Sequence, residues 1–283
     1  MRVTCANSKV GILSWYEGEL GWRAGQGGSL PMSEDRGFRE RMARARRAAR
    51  RTLNVLGDRV FWRLSRTEIK RLLERYGDCG AEGIYEIFDR YRGMGWYRRV
   101  GASQVRSEFT SLFNEVWVRQ PRIVMEIGTA RGGSLLAWCR LAETLAISID
   151  LPGGIHGGGY AAPRAKLYEE FAHGRKGVKV ALLREDSHQE KTKTLVSSLL
   201  QGRRIDFLFI DGDHTYTGVK RDFELWKPLV ANQGMVAFHD IVDHPQQPSI
   251  DIRRFWKELR ASFITREFVQ DYASGFGIGV VYL

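Results

Sequence analysis

Acidic and histidine side chains recur in the second half of the chain, at or directly after the end of short apolar segments. The positions concerned are Glu126, Asp150, Asp186, Asp211, Asp213, His214, His239 and Asp240. Carboxylates accept hydrogen bonds from ammonium and hydroxyl groups, and together with histidine they bind divalent cations or take protons from a reacting group. A protein with a purely structural role has little reason to concentrate such groups at these positions. The pattern therefore predicts a binding or catalytic site.

The first of these segments is followed by a glycine-rich turn, Gly128 to Ser134, which does not have the GxGxxG spacing of dinucleotide-binding proteins. Its glycines would let the backbone approach a ligand closely. Glu126 would repel a pyrophosphate but could accept hydrogen bonds from the ammonium group of an amino acid. Asp150 follows about twenty residues later, where an acid binds ribose hydroxyls. The combination predicts an adenosine-containing ligand without a pyrophosphate.

From Arg122 onward, apolar segments alternate with helical patterns. The predicted strands are IVMEI (123–127), LAISID (145–150), VKVALL (178–183), IDFLFID (205–211), GMVAFHD (234–240), ITREFV (264–269) and GIGVVYL (277–283). Such alternation indicates a parallel sheet covered on both faces, with ligands beyond the carboxyl ends of its strands. The last connection is too short for a helical crossover, so the last two strands should be antiparallel neighbours. The predicted fold class is α/β, a Rossmann-like seven-stranded, mostly parallel sheet with a C-terminal antiparallel hairpin, preceded by an N-terminal helical cap.

The chain before this sheet is predicted to be helical and basic. We expect residues 1–32 to form a flexible extension, residues 33–120 a helical region and residues 121–283 the ligand-binding domain. The helical region is predicted to contain a first helix through Leu56, then helices over 67–76, 84–91 and 103–119. Apolar residues of the first helix recur every three or four positions, and arginines crowd its other faces.

The composition excludes several classes of protein. With 283 residues, 43% hydrophobic and 27% charged, the chain is not wholly disordered, and no apolar run approaches the ~20 residues of a membrane-spanning helix. Three cysteines, an odd number without metal-ligand spacing, argue against a disulfide framework and favour the reducing cytoplasm. The net charge of +11 invites nucleic acid or an anionic membrane surface as a partner, or reflects solubility alone.

Four stretches together resemble a class I S-adenosylmethionine-dependent methyltransferase: MEIGTARGGS, SIDLPGG, EDSH and FLFIDGDHTYTGVKRDFELWKPLVANQGMVAFHD. The resemblance covers roughly Gln104 to the C-terminus. More narrowly, it is to the branch that contains cephalosporin-hydroxylase-like proteins and the macrocin and glycolipid-sugar O-methyltransferases. It implies that Glu126 and the turn hold the methionine part of the cofactor, Asp150 the ribose, and Asp186 with Ser187 the adenine. The implied turn residues are Gly128, Thr129, Gly132, Gly133 and Ser134.

The resemblance also implies a divalent metal, with Asp211, His239 and Asp240 at the ligand positions. Mg²⁺ prefers oxygen ligands, so a histidine in place of an acid favours Mn²⁺, Fe²⁺ or Zn²⁺, or no metal at all. A hydroxyl acceptor must lose its proton during methyl transfer, and Asp213 and His214 are the candidate bases. Asp211 is the third candidate catalytic residue, since it could orient the cofactor or the substrate. Asp213 could instead cap the next helix, and His214 could be an ordinary loop residue.

The leading hypothesis is an O-methyltransferase that acts on a small-molecule hydroxyl, most often of a sugar, glycoside or glycolipid. The alternatives are an NAD(P)-dependent oxidoreductase, which the missing GxGxxG and Glu126 disfavour, and a catalytically silent cofactor-binding protein on the same fold. We expect a homo-oligomer and no specific nucleic acid, because the Asn/Asp-Pro-Pro-aromatic motif of base methyltransferases and any recognisable RNA-binding module are missing from the sequence. The basic helix over 36–56 is interpreted as solvated or dimer-packing, with peripheral contact to the inner membrane surface as the alternative.

Overall fold

The computed structural model describes residues 32–153, 159–273 and 275–283. The predicted extension over 1–32 thus lies outside the described residues, apart from Met32, at which the first helix begins. The chain divides into two compact units, Met1–Leu56 and Gly57–Leu283. The second unit contains the sheet and the helices that cover it.

Eight α-helices and seven strands follow one another along the described residues. The helices are α1 (Met32–Tyr76), α2 (Gly80–Arg90), α3 (Arg106–Arg119), α4 (Gly133–Leu141), α5 (Ala165–Glu169), α6 (Glu190–Leu200), α7 (Tyr216–Trp226) and α8 (Ile252–Ser262). The strands are β1 (Ile123–Ile127), β2 (Leu145–Ile149), β3 (Lys179–Leu183), β4 (Ile205–Ile210), β5 (Val230–His239), β6 (Ile264–Phe268) and β7 (Ile278–Tyr282). Short 3₁₀ turns join several of them.

The first helix differs from its prediction, because two predicted helices are one continuous helix of 45 residues. The intervening residues, 57–66, contain no proline, and one glycine costs a helix only about 1 kcal/mol. The ring of Phe61 also lies against Gly57, 2.5 Å from where a Cβ would stand. This packing continues the helix across a position that its sequence only weakly favours.

The sheet has the order β3-β2-β1-β4-β5-β7-β6. Strands β1 to β5 are parallel, and β7 is antiparallel to both β5 and β6. The α/β fold class and the antiparallel pairing of the last two strands are confirmed. Helix α8 had not been assigned from the sequence, although its buried Ile252, Phe255, Trp256 and Leu259 have helical spacing.

Helices cover both faces of the sheet, so each strand contributes alternate side chains to two separate cores. Val124 belongs to the core that includes Trp138 of α4, whereas the neighbouring Met125 belongs to the core that includes Trp226 of α7. Burial on both faces explains why the central strands are nearly continuous apolar runs. It also leaves the carboxyl ends of the strands as the place where polar side chains can gather.

The described residues bear on two features considered in the sequence analysis, membrane-spanning helices and cysteines. Among the described residues, no helix is both long enough and apolar enough to cross a membrane. Cys139 is free and buried.

Candidate functional site

The backbone hydrogen bonds between neighbouring strands continue for one residue beyond the carboxyl ends of the strands, and this holds the site together. The backbone amides of Gly128, Asp150 and Asp211 each donate to a carbonyl at the end of a neighbouring strand, at 2.9 Å. Three chain segments, after β1, β2 and β4, are thereby held at one edge of the sheet. The predicted methionine, ribose and metal positions therefore share one edge.

Glu126 is completely buried in β1. Ser148 is the residue of β2 that is paired with Glu126, and its hydroxyl donates to Glu126 Oε1 at 2.7 Å. Thr129 Oγ1 lies 2.5 Å from the same hydroxyl. Glu126 Oε2 has no hydrogen-bond partner among the described residues. Burial raises the pKa of Glu126 to about 8. The carboxyl group is thus suited to a cationic partner, which would favour its ionised form.

Asp150 provides a second buried oxygen without a partner. Only 6% of the residue is exposed, and its Oδ2 has no hydrogen bond among the described residues. Burial raises the pKa of Asp150, although hydrogen bonds from the backbone of Thr129, Tyr160 and Gly159 act in the opposite direction. The hydroxyl of Tyr160 is likewise buried and has no hydrogen bond within the part of the chain that the structure describes. Buried polar atoms are normally hydrogen-bonded, so this group of atoms fits a polar ligand.

The glycines of the turn also allow close packing within the protein. A Cβ on Gly128, whose φ is +96°, would stand 2.0 Å from the carbonyl oxygen of Asp211. A Cβ on Gly133 would stand 2.1 Å from the carbonyl carbon of Gly101. At both positions glycine therefore permits a close approach between two protein segments, and the approach of a ligand to this turn stays a prediction. Gly132, with φ +76°, makes room for the ring of Tyr168 in the same way.

A buried arginine that the sequence analysis missed fastens this turn. Arg164 is 9% exposed and its guanidinium makes five hydrogen bonds. Its acceptors are the carbonyls of Trp96 (3.0 Å), Arg98 (2.6 Å), Arg99 and Arg131 (3.2 Å), and the hydroxyl of Tyr168 (2.7 Å). Tyr168 in turn donates to the carbonyl of Ala130 at 2.8 Å. Arg164 and Tyr168 together hold two successive carbonyls of the glycine-rich turn.

The second group of predicted residues forms a compact cluster at the ends of β4 and β5. His239 Nδ1 lies 3.3 Å from Asp211 Oδ1 and 3.0 Å from Asp240 Oδ1. His214 Nδ1 lies 2.7 Å from Asp240 Oδ2. Gln104, from the segment before α3, donates to Asp211 Oδ2 at 2.6 Å. The structure thus brings together Asp211, His214, His239 and Asp240. Asp213 is the one predicted metal-binding or catalytic residue of these segments that lies outside the cluster.

The charges of this cluster support one another. Burial lowers the pKa of His239, but Asp211 and Asp240 raise it more, to about 10. Burial also lowers the pKa of His214, but Asp240 and Asp211 raise it more, so that the pKa lies above its usual value of 6.5. Burial raises the pKa of Asp240, but the two histidines bring it well below its usual range. Asp240 has a φ of +60°, a strained conformation of the kind that persists where the surroundings fix it.

The cluster can hold a metal ion, with a ligand set that differs from the predicted one. One ligand atom from each of Asp211, His214 and Asp240 lies within 4.8 Å of the others. The prediction had His239 in place of His214. Two carboxylates and one imidazole suit a divalent ion that accepts mixed oxygen and nitrogen ligands, such as Mn²⁺, Fe²⁺ or Zn²⁺.

Asp213 occupies a structural position. Its Oδ1 accepts a hydrogen bond from the backbone amide of Thr215 at 2.9 Å, and Thr215 is the N-cap of α7. The carboxyl group also stands where a side chain on Gly218 would lie, with Cγ 2.0 Å from the Cβ position. The carboxylate of Asp213 thus shapes the loop that presents His214, which favours His214 as the base.

The predicted adenine-flanking residues lie in the loop before α6. Asp186 accepts hydrogen bonds from the backbone amide of His188 (2.9 Å) and the side chain of Gln189 (3.1 Å), and Ser187 is half-buried. His188 Nε2 lies 3.3 Å from a carboxylate oxygen of Asp222, a completely buried residue of α7. The ion pair between His188 and Asp222 connects this loop to α7.

Part of the chain is similar to a known protein family and to other proteins. Residues 125–241 match the model of a family described as a methyltransferase domain. Uncharacterized protein y4gI of Sinorhizobium fredii is 28% identical over 166 residues, which are 56% of this chain and 17% of that protein. Uncharacterized protein R132 of Acanthamoeba polyphaga mimivirus is 35% identical over 74 residues, 26% of this chain and 33% of that protein. The chain thus spans a third or less of the length of these curated relatives.

Among solved structures, an O-methyltransferase from Bacillus cereus in complex with SAH is similar, with 17% identity and a TM-score of 0.47. The match covers 72% of this chain and 90% of that one. The family match includes the glycine-rich turn, Asp150 and the cluster around Asp240, and the sheet has the order and direction described above. Residues 125–241, which contain the predicted cofactor and metal positions, are therefore similar to a methyltransferase domain.

Proposed function

We propose that this protein transfers the methyl group of S-adenosylmethionine to a hydroxyl oxygen of a small molecule, a sugar, glycoside or glycolipid. The observation that carries the proposal is the hydrogen bond of 2.7 Å between His214 and Asp240. An imidazole that a buried carboxylate orients is a common general base for hydroxyl groups. This pair follows β4 and β5 of the same parallel sheet whose strand ends carry Glu126 and Asp150.

The buried oxygens fit the cofactor. When bound, S-adenosylmethionine supplies a methyl group on a positively charged sulfur that is open to attack by an oxygen. Glu126 Oε2 would accept a hydrogen bond from the amino acid ammonium, and Asp150 Oδ2 from a ribose hydroxyl. Asp186 and Ser187 would flank the adenine. The NAD(P)-dependent alternative is disfavoured, because the turn lacks the required glycine spacing and its segment matches a methyltransferase family.

The chain's own residues would prepare the acceptor. Asp240 lies against Nδ1 of His214 and orients the ring, and the imidazole would take the hydroxyl proton during transfer. Gln104 fixes one oxygen of Asp211, while His239 faces the other. The two carboxylates therefore keep a defined orientation beside the base.

A divalent metal fits the same cluster. Asp211, His214 and Asp240 would hold it, and when bound it would make a coordinated hydroxyl more acidic. His214 would then be a ligand instead of the base. The two uses differ in their response to metal removal, which the experiment below measures.

The test combines cofactor binding with turnover. Calorimetry should show binding of S-adenosylhomocysteine, and S-adenosylmethionine turnover is then followed over a panel of glycosides and other hydroxylated compounds. His214→Gln should leave the binding of S-adenosylhomocysteine within about threefold but lower turnover by about 10²- to 10⁴-fold. His173→Gln is the matched control, because that histidine pairs with Glu74 instead.

Each outcome has a defined meaning. Loss of turnover on chelation, with recovery on adding Mn²⁺, Fe²⁺ or Zn²⁺, would support the metal. Full turnover in chelator would refute the metal and support the base. Binding of NAD(P)⁺ without S-adenosylhomocysteine would refute the cofactor. Full turnover by His214→Gln would refute the role of the pair with Asp240.

A further inference from the structure

The first part of α1 is largely exposed to solvent from Phe38 to Leu53. From Phe38 to Leu53, every side chain except that of Ala43 is solvent-exposed. Large apolar residues are among them: Phe38 is 57%, Leu53 64% and, one turn further, Leu56 80% exposed. An isolated helix gains most of its stability from packing an apolar face against a partner. We call the segment Phe38–Leu56, of which Asn54 is buried, the basic helix.

The basic helix has two chemically distinct faces. One apolar stripe, with spacings of three and four residues, contains Phe38, Met42, Ala45, Ala49, Leu53 and Leu56. The remaining faces contain Arg39, Arg41, Arg44, Arg46, Arg47, Arg50 and Arg51. Seven arginines against one glutamate, Glu40, give this segment a charge of +6. More than half of the chain's net charge of +11 thus lies on one helix.

The positive charge and the apolar stripe of the basic helix together limit the kind of partner that can bind it. A second copy of the helix would cover the stripe but would bring two charges of +6 together. A nucleic acid would neutralise the arginines but leave the exposed Phe38, Leu53 and Leu56 in water. An anionic lipid surface satisfies both requirements, because apolar side chains enter the acyl boundary while arginines reach the headgroups.

We propose that the basic helix docks this protein on an anionic membrane surface. The helix would lie in the plane of the interface, with its apolar stripe toward the lipid and its arginines among the anionic headgroups. The proposal does not depend on the acceptor or on the proposed reaction. It assigns to the helix a role distinct from cofactor binding.

The experiment is vesicle co-flotation with the full chain. The expected result is binding to vesicles of phosphatidylcholine with 30% phosphatidylglycerol, weakening as salt is raised, and at least tenfold less binding to phosphatidylcholine alone. (The lipid fraction is roughly that of an anionic leaflet, within the range where basic segments bind.) The triple variant Arg41→Gln, Arg46→Gln, Arg50→Gln should bind about 100-fold less tightly, from about 1 kcal/mol for each basic residue.

A matched control removes the same charge elsewhere. Lys176, Lys179 and Lys257 are exposed, and no ion pair of theirs is seen within the described residues. Their triple change to Gln should leave vesicle binding within about threefold. Equal binding by the two triple variants, or equal binding to neutral and anionic vesicles, would overturn the proposal.

Substitutions in the apolar stripe distinguish a membrane from the other possible binding partners, a nucleic acid and a second copy of the chain. Phe38→Ser with Leu53→Ser and Leu56→Ser should weaken vesicle binding at least tenfold while S-adenosylhomocysteine binding is kept. Failure to bind vesicles, combined with tight binding of a random DNA duplex that the serine variant retains, would overturn the proposal in favour of nucleic acid. Failure to bind vesicles, combined with a dimer in sedimentation velocity that the serine variant abolishes, would overturn it in favour of a second copy.

Discussion

Replacement of Arg164 by Met should weaken cofactor binding through the glycine-rich turn. The guanidinium makes five hydrogen bonds, four of them to backbone carbonyls, and no described carboxylate shares its charge. At a net value of about 1 kcal/mol for each bond, and allowing for water at some carbonyls, the free energy of unfolding should fall by about 3–5 kcal/mol. Because Met keeps much of the apolar stem of Arg164, the fall in the free energy of unfolding measures the contribution of the lost hydrogen bonds.

The effect on the cofactor follows from what Arg164 holds. It binds the carbonyl of Arg131, while its partner Tyr168 binds that of Ala130. Without the guanidinium both anchors weaken, and a turn displaced by about 1 Å loses on the order of tenfold to 100-fold in productive binding. We expect the Kd of S-adenosylhomocysteine to rise by that factor in calorimetry, at a temperature where circular dichroism shows the variant to be folded.

Arg140 provides the matched control. It is 5% exposed and makes four hydrogen bonds, to the carbonyls of Gly77, Phe171 and His173 and to the carboxylate of Asp78. Arg140→Met should therefore cost similar stability, but none of its partners belongs to the turn, so the Kd should stay within about twofold. An unchanged Kd in Arg164→Met, or an equal increase in Arg140→Met, would refute the reasoning.

Three further predictions concern pH and packing. Burial raises the pKa of Glu126 to about 8, so affinity for S-adenosylhomocysteine should increase by up to tenfold per unit between pH 6 and 8, and Glu126→Gln should remove this dependence in calorimetry. The carboxylate of buried Asp222, 3.3 Å from the ring, raises the pKa of His188; this stabilisation is complete below the unfolded value of about 6.5 and lost as pH rises through the folded value. His188→Gln should hence lower the free energy of unfolding by about 1–3 kcal/mol at pH 5.5 and by less at pH 9, and an equal loss at both would contradict this. Gly128→Ala should cost at least about 2 kcal/mol in urea denaturation, whereas Gly101→Ala, which meets nothing within 4 Å, should be near neutral.

The sequence predicts the sheet well because burial on both faces leaves an unambiguous pattern of apolar runs. It also predicts which strand ends carry the site, since parallel strands bring their carboxyl ends to one edge. The identity of the base was less accessible: Asp213 and His214 are adjacent, and only the contact of Asp213 with Thr215 separates their roles.

Other features depend on contacts between residues distant in sequence. Gln104 reaches Asp211 across 107 positions, and Arg164 reaches Trp96 across 68. No local periodicity encodes such pairs. The continuation of α1 through Gly57 depends instead on a local contact, with the ring of Phe61 four residues later, which the intrinsic helix preference of glycine does not reveal.

The contact between Gly128 and the Asp211 carbonyl has a consequence for how this protein can change. The turn beside the proposed cofactor site and the loop of the proposed acceptor site meet with no space for a single methyl group between them. Neither segment can shift without moving the other, so a substitution that reshapes one should be felt in the affinity of the other. Variants selected for a new acceptor should therefore show altered cofactor affinity, and pairs of substitutions across this contact should be strongly non-additive.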